Sequence, residues 1–143
     1  MTYDEFFAKW LGKGCDVDGA YGRQCKDVFS AFNRDVVGAP YLVGNAGEIW
    51  YKAPTKYYEK IINTITAVPQ KGDIMIWLPY WGNSFGHISI CYSANIMWFT
   101  SLDQNWPKQG YYDSKGNFIG TGVCHFQNHN YLWPKVVGWL RKK

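Results

Sequence analysis

The chain has 143 residues, enough for one domain with a sizeable core and no need of covalent staples. Its net charge of +4, from 15 Lys and Arg against 11 Asp and Glu, includes no basic stripe interleaved with aromatics, which sets nucleic-acid binding aside. No stretch nears the ~20 apolar residues of a membrane span, and the start Met1–Phe7 lacks a basic region followed by an apolar run. The expectation is therefore a soluble product without a signal peptide, made in the cytoplasm.

Thr2 and Glu5 have the form of a capping box ahead of Phe6, Phe7, Trp10 and Leu11, which predicts a helix over 3–11 stopped by Gly12 and Gly14. Residues 16–27, Asp-Val-Asp-Gly-Ala-Tyr-Gly-Arg-Gln-Cys-Lys-Asp, place Asp16, Asp18 and Asp27 beside the thiol of Cys25. Val28, Phe29, Phe32 and Val36 then recur at the spacing of one helix face and predict a helix from about Cys25 to Val36. Residues 38–56, rich in Gly and Pro, read as loop with one turn of helix near Ala46–Tyr51, and Tyr57–Ile62 as a short strand.

From residue 72 the period changes: Asp73–Leu78, bounded by Gly72 and Pro79, reads as a buried strand. His87–Tyr92 and Met97–Leu102 alternate, Gly82, Asn83 and Gly86 mark a turn, and Val136–Leu140 is the last predicted strand. Helices precede an antiparallel sheet, an α+β layout in a single domain over 1–143. Cys15, Cys25, Cys91 and Cys124 show no C-x-x-C spacing; two disulfides are open to them, but free thiols are the expectation.

A thiol at a helix N-terminus is where the dipole and free N–H groups favour an anion. To act as a nucleophile, Cys25 needs a base and a group that fixes the base's tautomer. Three histidines are available. His87 opens an alternating strand, whereas His125 and His129 lie in a polar, Asn-rich segment that reads as surface loop. Asp103 and Asn105, two apart past a strand and on one face, are the candidates to orient the base. Cys124, His125 and His129 offer soft metal ligands without an evident fourth. Cys15, Cys91 and Cys124 read as inert.

Counted from Asp16 as position one, Asp18 is three, Ala20 five, Gly22 seven and Asp27 twelve, close to the spacing of a calcium-binding loop. The loop departs from the EF-hand form, with Ala20 able to give only its carbonyl, Tyr21 in place of Gly at six, and Asp27 in place of Glu. The alternative is an acidic turn in which Asp16 or Asp18 caps a helix.

The acidic loop with Cys25, then Gly72-Asp-Ile-Met-Ile-Trp77, Gly86-His-Ile-Ser-Ile90, Ser101-Leu-Asp-Gln-Asn-Trp106 and Gly138-Trp-Leu-Arg141, resembles the CHAP family. These are cysteine- and histidine-dependent amidohydrolase/peptidase domains of phage endolysins and bacterial wall hydrolases. The resemblance implies a papain-like α+β fold, with N-terminal helices packed on an antiparallel sheet, that hydrolyses an amide of peptidoglycan. It implies Cys25 as nucleophile, His87 as base, Asp103 as orienter where many relatives carry Glu, and Asn105 as a fourth polar member. Gln24 and the Cys25 N–H are implied to stabilise the oxyanion. It also implies structural Ca²⁺ held by Asp16, Asp18 and Asp27 with the carbonyls of Ala20 and Gly22.

Peptidoglycan is the implied partner, with no nucleic acid or membrane, and the protein is expected to be a monomer. Amidase and endopeptidase action both stay open. Specificity is expected from residues 38–56 and 79–86 and from Trp50, Trp81 and Trp106. Two rivals remain, a non-catalytic wall-binding or phage-tail module and a papain-like enzyme acting on another amide.

Overall fold

In a computed structural model, which describes residues 1–143, helix α1 (Tyr3–Trp10) begins on the expected reciprocal cap. The Glu5 N–H donates to Thr2 Oγ1 and the Thr2 N–H to Glu5 Oε2. Gly12, at φ 79°, lets the chain leave the helix in a left-handed turn that a side chain would resist.

Helix α2 (Cys25–Phe32) is shorter than the apolar spacing predicts, because Asn33–Val37 forms a wider π-helical turn closed by Gly38. The widened turn directs Asn33 inward. Its Nδ2 donates to the carbonyls of Ala39 and Pro40, and its Oδ1 accepts from the Tyr58 hydroxyl, so a buried amide is fully used. Helix α3 (Ile49–Lys52) overlaps the turn predicted near Ala46–Tyr51.

Strands β1 (Tyr58–Ile62), β2 (Ile74–Trp77), β3 (His87–Ala94), β4 (Phe99–Asp103), β7 (His125–His129) and β8 (Gly138–Lys142) form one antiparallel sheet in the order β1-β8-β2-β3-β4-β7. β5 (Gly110–Tyr112) and β6 (Phe118–Gly120) make a separate hairpin that the sequence reading does not contain. The α+β expectation holds: α1, α2 and α3 lie against one face, where Ile74, Ile76, Ile88, Ile90, Leu102 and Leu140 meet Phe6, Phe29 and Phe32. Alternation sends Met75, Trp77, Cys91, Phe99 and Trp139 to the other face, under Tyr131 and Val136.

The sheet differs from expectation in several places. The Asn95 side-chain oxygen accepts the N–H groups of Met97 and Trp98, closing a turn that leaves Met97 75% exposed, so β4 starts only at Phe99. Val136 is buried from a loop, and β8 starts at Gly138. The stretch containing His125 and His129, expected as surface loop, is edge strand β7, paired with the whole of β4 from Phe99↔His129 to Asp103↔His125. Its polar composition suits an edge, where one face and one side meet water.

All four cysteines are free thiols, and burial pushes Cys15, Cys91 and Cys124 up to about 12, which keeps them protonated. No helix is long and apolar enough to cross a membrane.

Candidate active site

Cys25 is the first residue of α2 and is partly exposed. Its N–H points out of the helix start with no intrahelical partner. The entry to the helix is braced from two sides. Asp27 turns back to accept the Gln24 N–H on Oδ2, and the Gln24 carbonyl accepts from Gln104 Nε2 at 2.9 Å. Gln104, fully buried just past β4, also donates to the Cys15 carbonyl and accepts the Cys15 N–H. The Gln24 side chain donates to the Tyr21 carbonyl at 2.7 Å.

His87 opens β3 directly after Gly86, whose φ is 73° and where a Cβ would lie 2.2 Å from the Trp77 carbonyl. Only glycine lets β3 start this close to the end of β2. His87 Nε2 meets Asp103 Oδ2 at 2.6 Å, and both side chains are buried. With Nε2 engaged, Nδ1 is the ring nitrogen left for the thiol.

Burial by itself would lower the His87 pKa. The negative charge of Cys25 and the hydrogen bonds to Asp103 and Cys25 outweigh it, and the imidazolium is held up to about 9. Burial would likewise raise the Asp103 pKa, but hydrogen bonds from His129 and His87 hold it below the usual carboxylate range.

Of the two candidates to orient His87, the structure puts Asp103 on the ring. Asn105 leaves the strand at φ 63°; its Nδ2 donates to the Arg23 carbonyl and its Oδ1 accepts the Gly122 N–H. It ties the acidic loop to the chain before β7 and makes no bond to His87.

Sequence reasoning missed the other groups around Asp103 and the imidazoles. His129 Nε2 reaches the same Oδ2 at 2.9 Å, and Ser101 Oγ donates to Oδ1. Trp77 and Trp106 pack on both imidazoles, with centroids 5.0 and 4.8 Å from His87 and 4.8 and 4.7 Å from His129. Trp106, expected in a groove, is thus a wall of the histidine site. Trp50 packs against the core and stacks over Gly138, and only Trp81 stands free, 98% exposed. Cys124, His125 and His129 do not converge. The Cys124 thiol meets Gln104 Oε1, His125 faces the Val123 carbonyl, and His129 is taken by Asp103.

One ligand oxygen from each of Asp16, Asp18 and Asp27 lies within 4.8 Å of the others. None of the three forms an ion pair with a Lys or Arg. Burial raises the Asp27 pKa to about 6, against the pull of the N–H groups of Gln24 and Val17, and the charge of Asp18 adds to the rise. The Asp16 and Asp18 carboxylates each accept one loop N–H, from Gly19 and Ala20, and the Ala20 and Gly22 carbonyls accept none within the chain. A set of hard oxygens with uncompensated negative charge fits a calcium ion.

The CHAP domain family model matches residues 14–105, which include Cys25, His87 and Asp103. The chain is 35% identical to the probable autolysin PH of Staphylococcus aureus over 111 residues, 76% of this chain and 23% of that protein. It is 26% identical over 143 residues to endolysin PlyTW of Staphylococcus phage Twort, covering 94% of this chain and 31% of the phage protein. The D-alanyl-L-alanine endopeptidase of Streptococcus phage B30 is 28% identical over 120 residues, 77% of this chain and 26% of that protein. Among solved structures, endolysin LysIME-EF1 superposes with a TM-score of 0.76 at 27% identity, covering 99% of this chain and 64% of the other. The chain thus spans 23 to 31% of the length of these sequence relatives.

Proposed function

The chain belongs to the CHAP domain family, and from that premise we propose that it hydrolyses an amide bond of bacterial peptidoglycan with Cys25 as nucleophile, as the catalytic part of a phage endolysin. One observation carries this reading: the His87 ring is bound through Nε2 to the buried Asp103, which leaves Nδ1 for the thiol at the mouth of α2.

In this mechanism the Cys25 thiolate forms a bond to the carbonyl carbon, and the oxygen takes the negative charge. The unpaired Cys25 N–H is the first donor for that oxyanion. The Gln24 amide keeps a second hydrogen beyond the one given to Tyr21, and we assign it the second donor role. As the C–N bond breaks, His87 gives its Nδ1 proton to the leaving amine. His87 then takes a proton from water, which attacks the thioester and frees Cys25. Asp103 keeps the ring in the tautomer that both steps need.

Residues Asp16, Asp18 and Asp27, with the Ala20 and Gly22 carbonyls, would hold Ca²⁺. The ion would brace the loop before α2 and add positive charge near its start. The muramoyl-L-alanine bond and the peptide cross-links are both amides, so these residues serve an amidase and an endopeptidase equally.

The test is release of fragments from purified Gram-positive peptidoglycan, with mass spectrometry of the new ends, for the chain and for Cys25→Ala. Cleavage by the chain alone is expected, and the ends name the bond. Cleavage that survives Cys25→Ala would remove the cysteine mechanism. No cleavage by either, with calcium present, would favour the wall-binding alternative.

A further inference from the structure

Asp103 is fully buried, and it receives more donors than orienting one imidazole requires. Oδ1 takes the Ser101 hydroxyl, while Oδ2 takes both His87 Nε2 at 2.6 Å and His129 Nε2 at 2.9 Å. The two imidazole side chains are each 3% exposed. His129 comes from the edge strand β7, opposite Phe99, and cannot swing away: Phe99 stacks on it at 5.1 Å, with Trp77 and Trp106 against its other sides.

We propose that His129 is a positioning residue for the reaction, its Nε2–H fixing the Asp103 carboxylate so that Oδ2 stays aimed at the His87 ring. This inference rests on the cysteine mechanism above.

The geometry explains why a second donor matters. Rotation of a carboxylate about its last side-chain bond is soft, and one hydrogen bond to His87 sets a distance without setting the carboxylate plane. Ser101 on one oxygen and His129 on the other set that plane from β4 and β7, two strands that pair over their whole length. Because Asp103 is held ionised, it only accepts, so His129 must carry its proton on Nε2.

Two donors on one oxygen also temper each other. Part of the Oδ2 charge that would hold the His87 proton is taken by His129, which keeps the imidazolium a better acid toward the amine. The ionisable groups that act on this cluster are Cys25 from α2, Tyr80 from the loop after β2 and Cys124 ahead of β7, besides Asp103 itself.

The experiment compares the whole chain with His129→Phe and His129→Gln, measuring kcat and KM on soluble peptidoglycan fragments, melting temperature, and the His87 ring titration by nitrogen-15 NMR. Phenylalanine fills the site without a donor, whereas the glutamine amide returns an N–H near Oδ2. For His129→Phe we expect kcat to fall about tenfold at little changed KM, and the His87 midpoint to rise. His129→Gln should recover most of kcat and return the midpoint toward its original value.

If His129→Phe does not fold, His129→Asn, polar but too short to reach Oδ2, takes its place with the same expectations. An unchanged His87 titration in the donor-less variant would overturn the proposal. So would equal losses in the donor-less and glutamine variants that track their melting temperatures, since that is the mark of packing alone. The NMR titration needs no turnover, so it separates this idea from failure of the cysteine mechanism, which would appear as activity retained in Cys25→Ala.

Discussion

Asp103→Asn isolates the charge of the orienting residue from its shape. Both imidazoles meet Oδ2, so the oxygen of the new amide belongs there, accepting from His87 and His129. The amide nitrogen then faces Ser101 Oγ, which can rotate to accept. In that orientation the His87 tautomer survives, and what disappears is the negative charge beneath it. A charge-assisted hydrogen bond contributes about 1.5–3 kcal/mol, so kcat/KM should fall roughly tenfold to a hundredfold.

The pH profile carries the sharper signal. His87 is held protonated up to about 9 by Cys25 and Asp103 against its burial, so wild-type activity should decline on the alkaline side near that value. Removing the Asp103 charge leaves burial less opposed, and the alkaline limb should move toward neutral pH. Initial rates of dye release from labelled peptidoglycan between pH 5 and 10, at fixed ionic strength and calcium, measure both effects. A far larger fall, on the order of ten-thousandfold, would mean that the tautomer was lost instead. A reduced rate with an unmoved alkaline limb would refute the assignment of the Asp103 charge to His87.

Two further outcomes follow from the loops around α2. If Asp16, Asp18 and Asp27 hold calcium, its addition should raise the melting temperature, and more at pH 7 than at pH 5, because Asp27 with a pKa of about 6 must lose its proton to ligate; scanning calorimetry with calcium and with chelator shows this, and Asp27→Asn should abolish it. An equal effect of calcium on wild type and Asp27→Asn would exclude Asp27 as a ligand. Gln104→Leu strands the Cys15 N–H and the Cys15 and Gln24 carbonyls in the interior; a cost of about 3 kcal/mol should lower the melting temperature by roughly 10 °C, and an unchanged thermal midpoint would show that the bridge carries no weight.

What the sequence made legible was local. The capping box at Thr2, the apolar face behind Cys25 and the alternation of β3 each act within a few residues, and each element starts where the pattern puts it, although α2 gives way to the π-helical turn at Asn33. The hairpin of β3 and β4 follows from their closeness in the chain, and it brings Asp103 to His87. The partner of His87 could not be chosen from spacing, because two-residue alternation puts Asp103 and Asn105 on one face for as long as the strand continues. The strand ends at Asp103, and the left-handed backbone at Asn105 sends its side chain to Arg23 instead. His129 was hidden for a different reason. Its strand has polar residues at four of five positions, with Phe126 the one apolar side chain, and it is held by pairing to β4 rather than by an apolar period of its own.

The end of β4 shows why the site needs tertiary structure. Consecutive residues of a strand point to opposite faces, so Asp103 goes to the two histidines while Gln104 goes the other way, to the carbonyl that precedes Cys25. One dipeptide therefore holds His87 with its first residue and the helix that begins at Cys25 with its second. A slip of one residue in the pairing of β4 with β3 and β7 would exchange the two faces. In one direction it would place the Gln104 amide under His87, and in the other it would leave Leu102 there and set the Asp103 carboxylate against the Gln24 carbonyl. The register is fixed by Leu102, buried on the helix side, and Phe99, buried under Tyr131 and His129. The spacing of His87 and Cys25 is thus set by the packing of β4, the strand next to the edge strand β7 and hydrogen-bonded to it along its whole length.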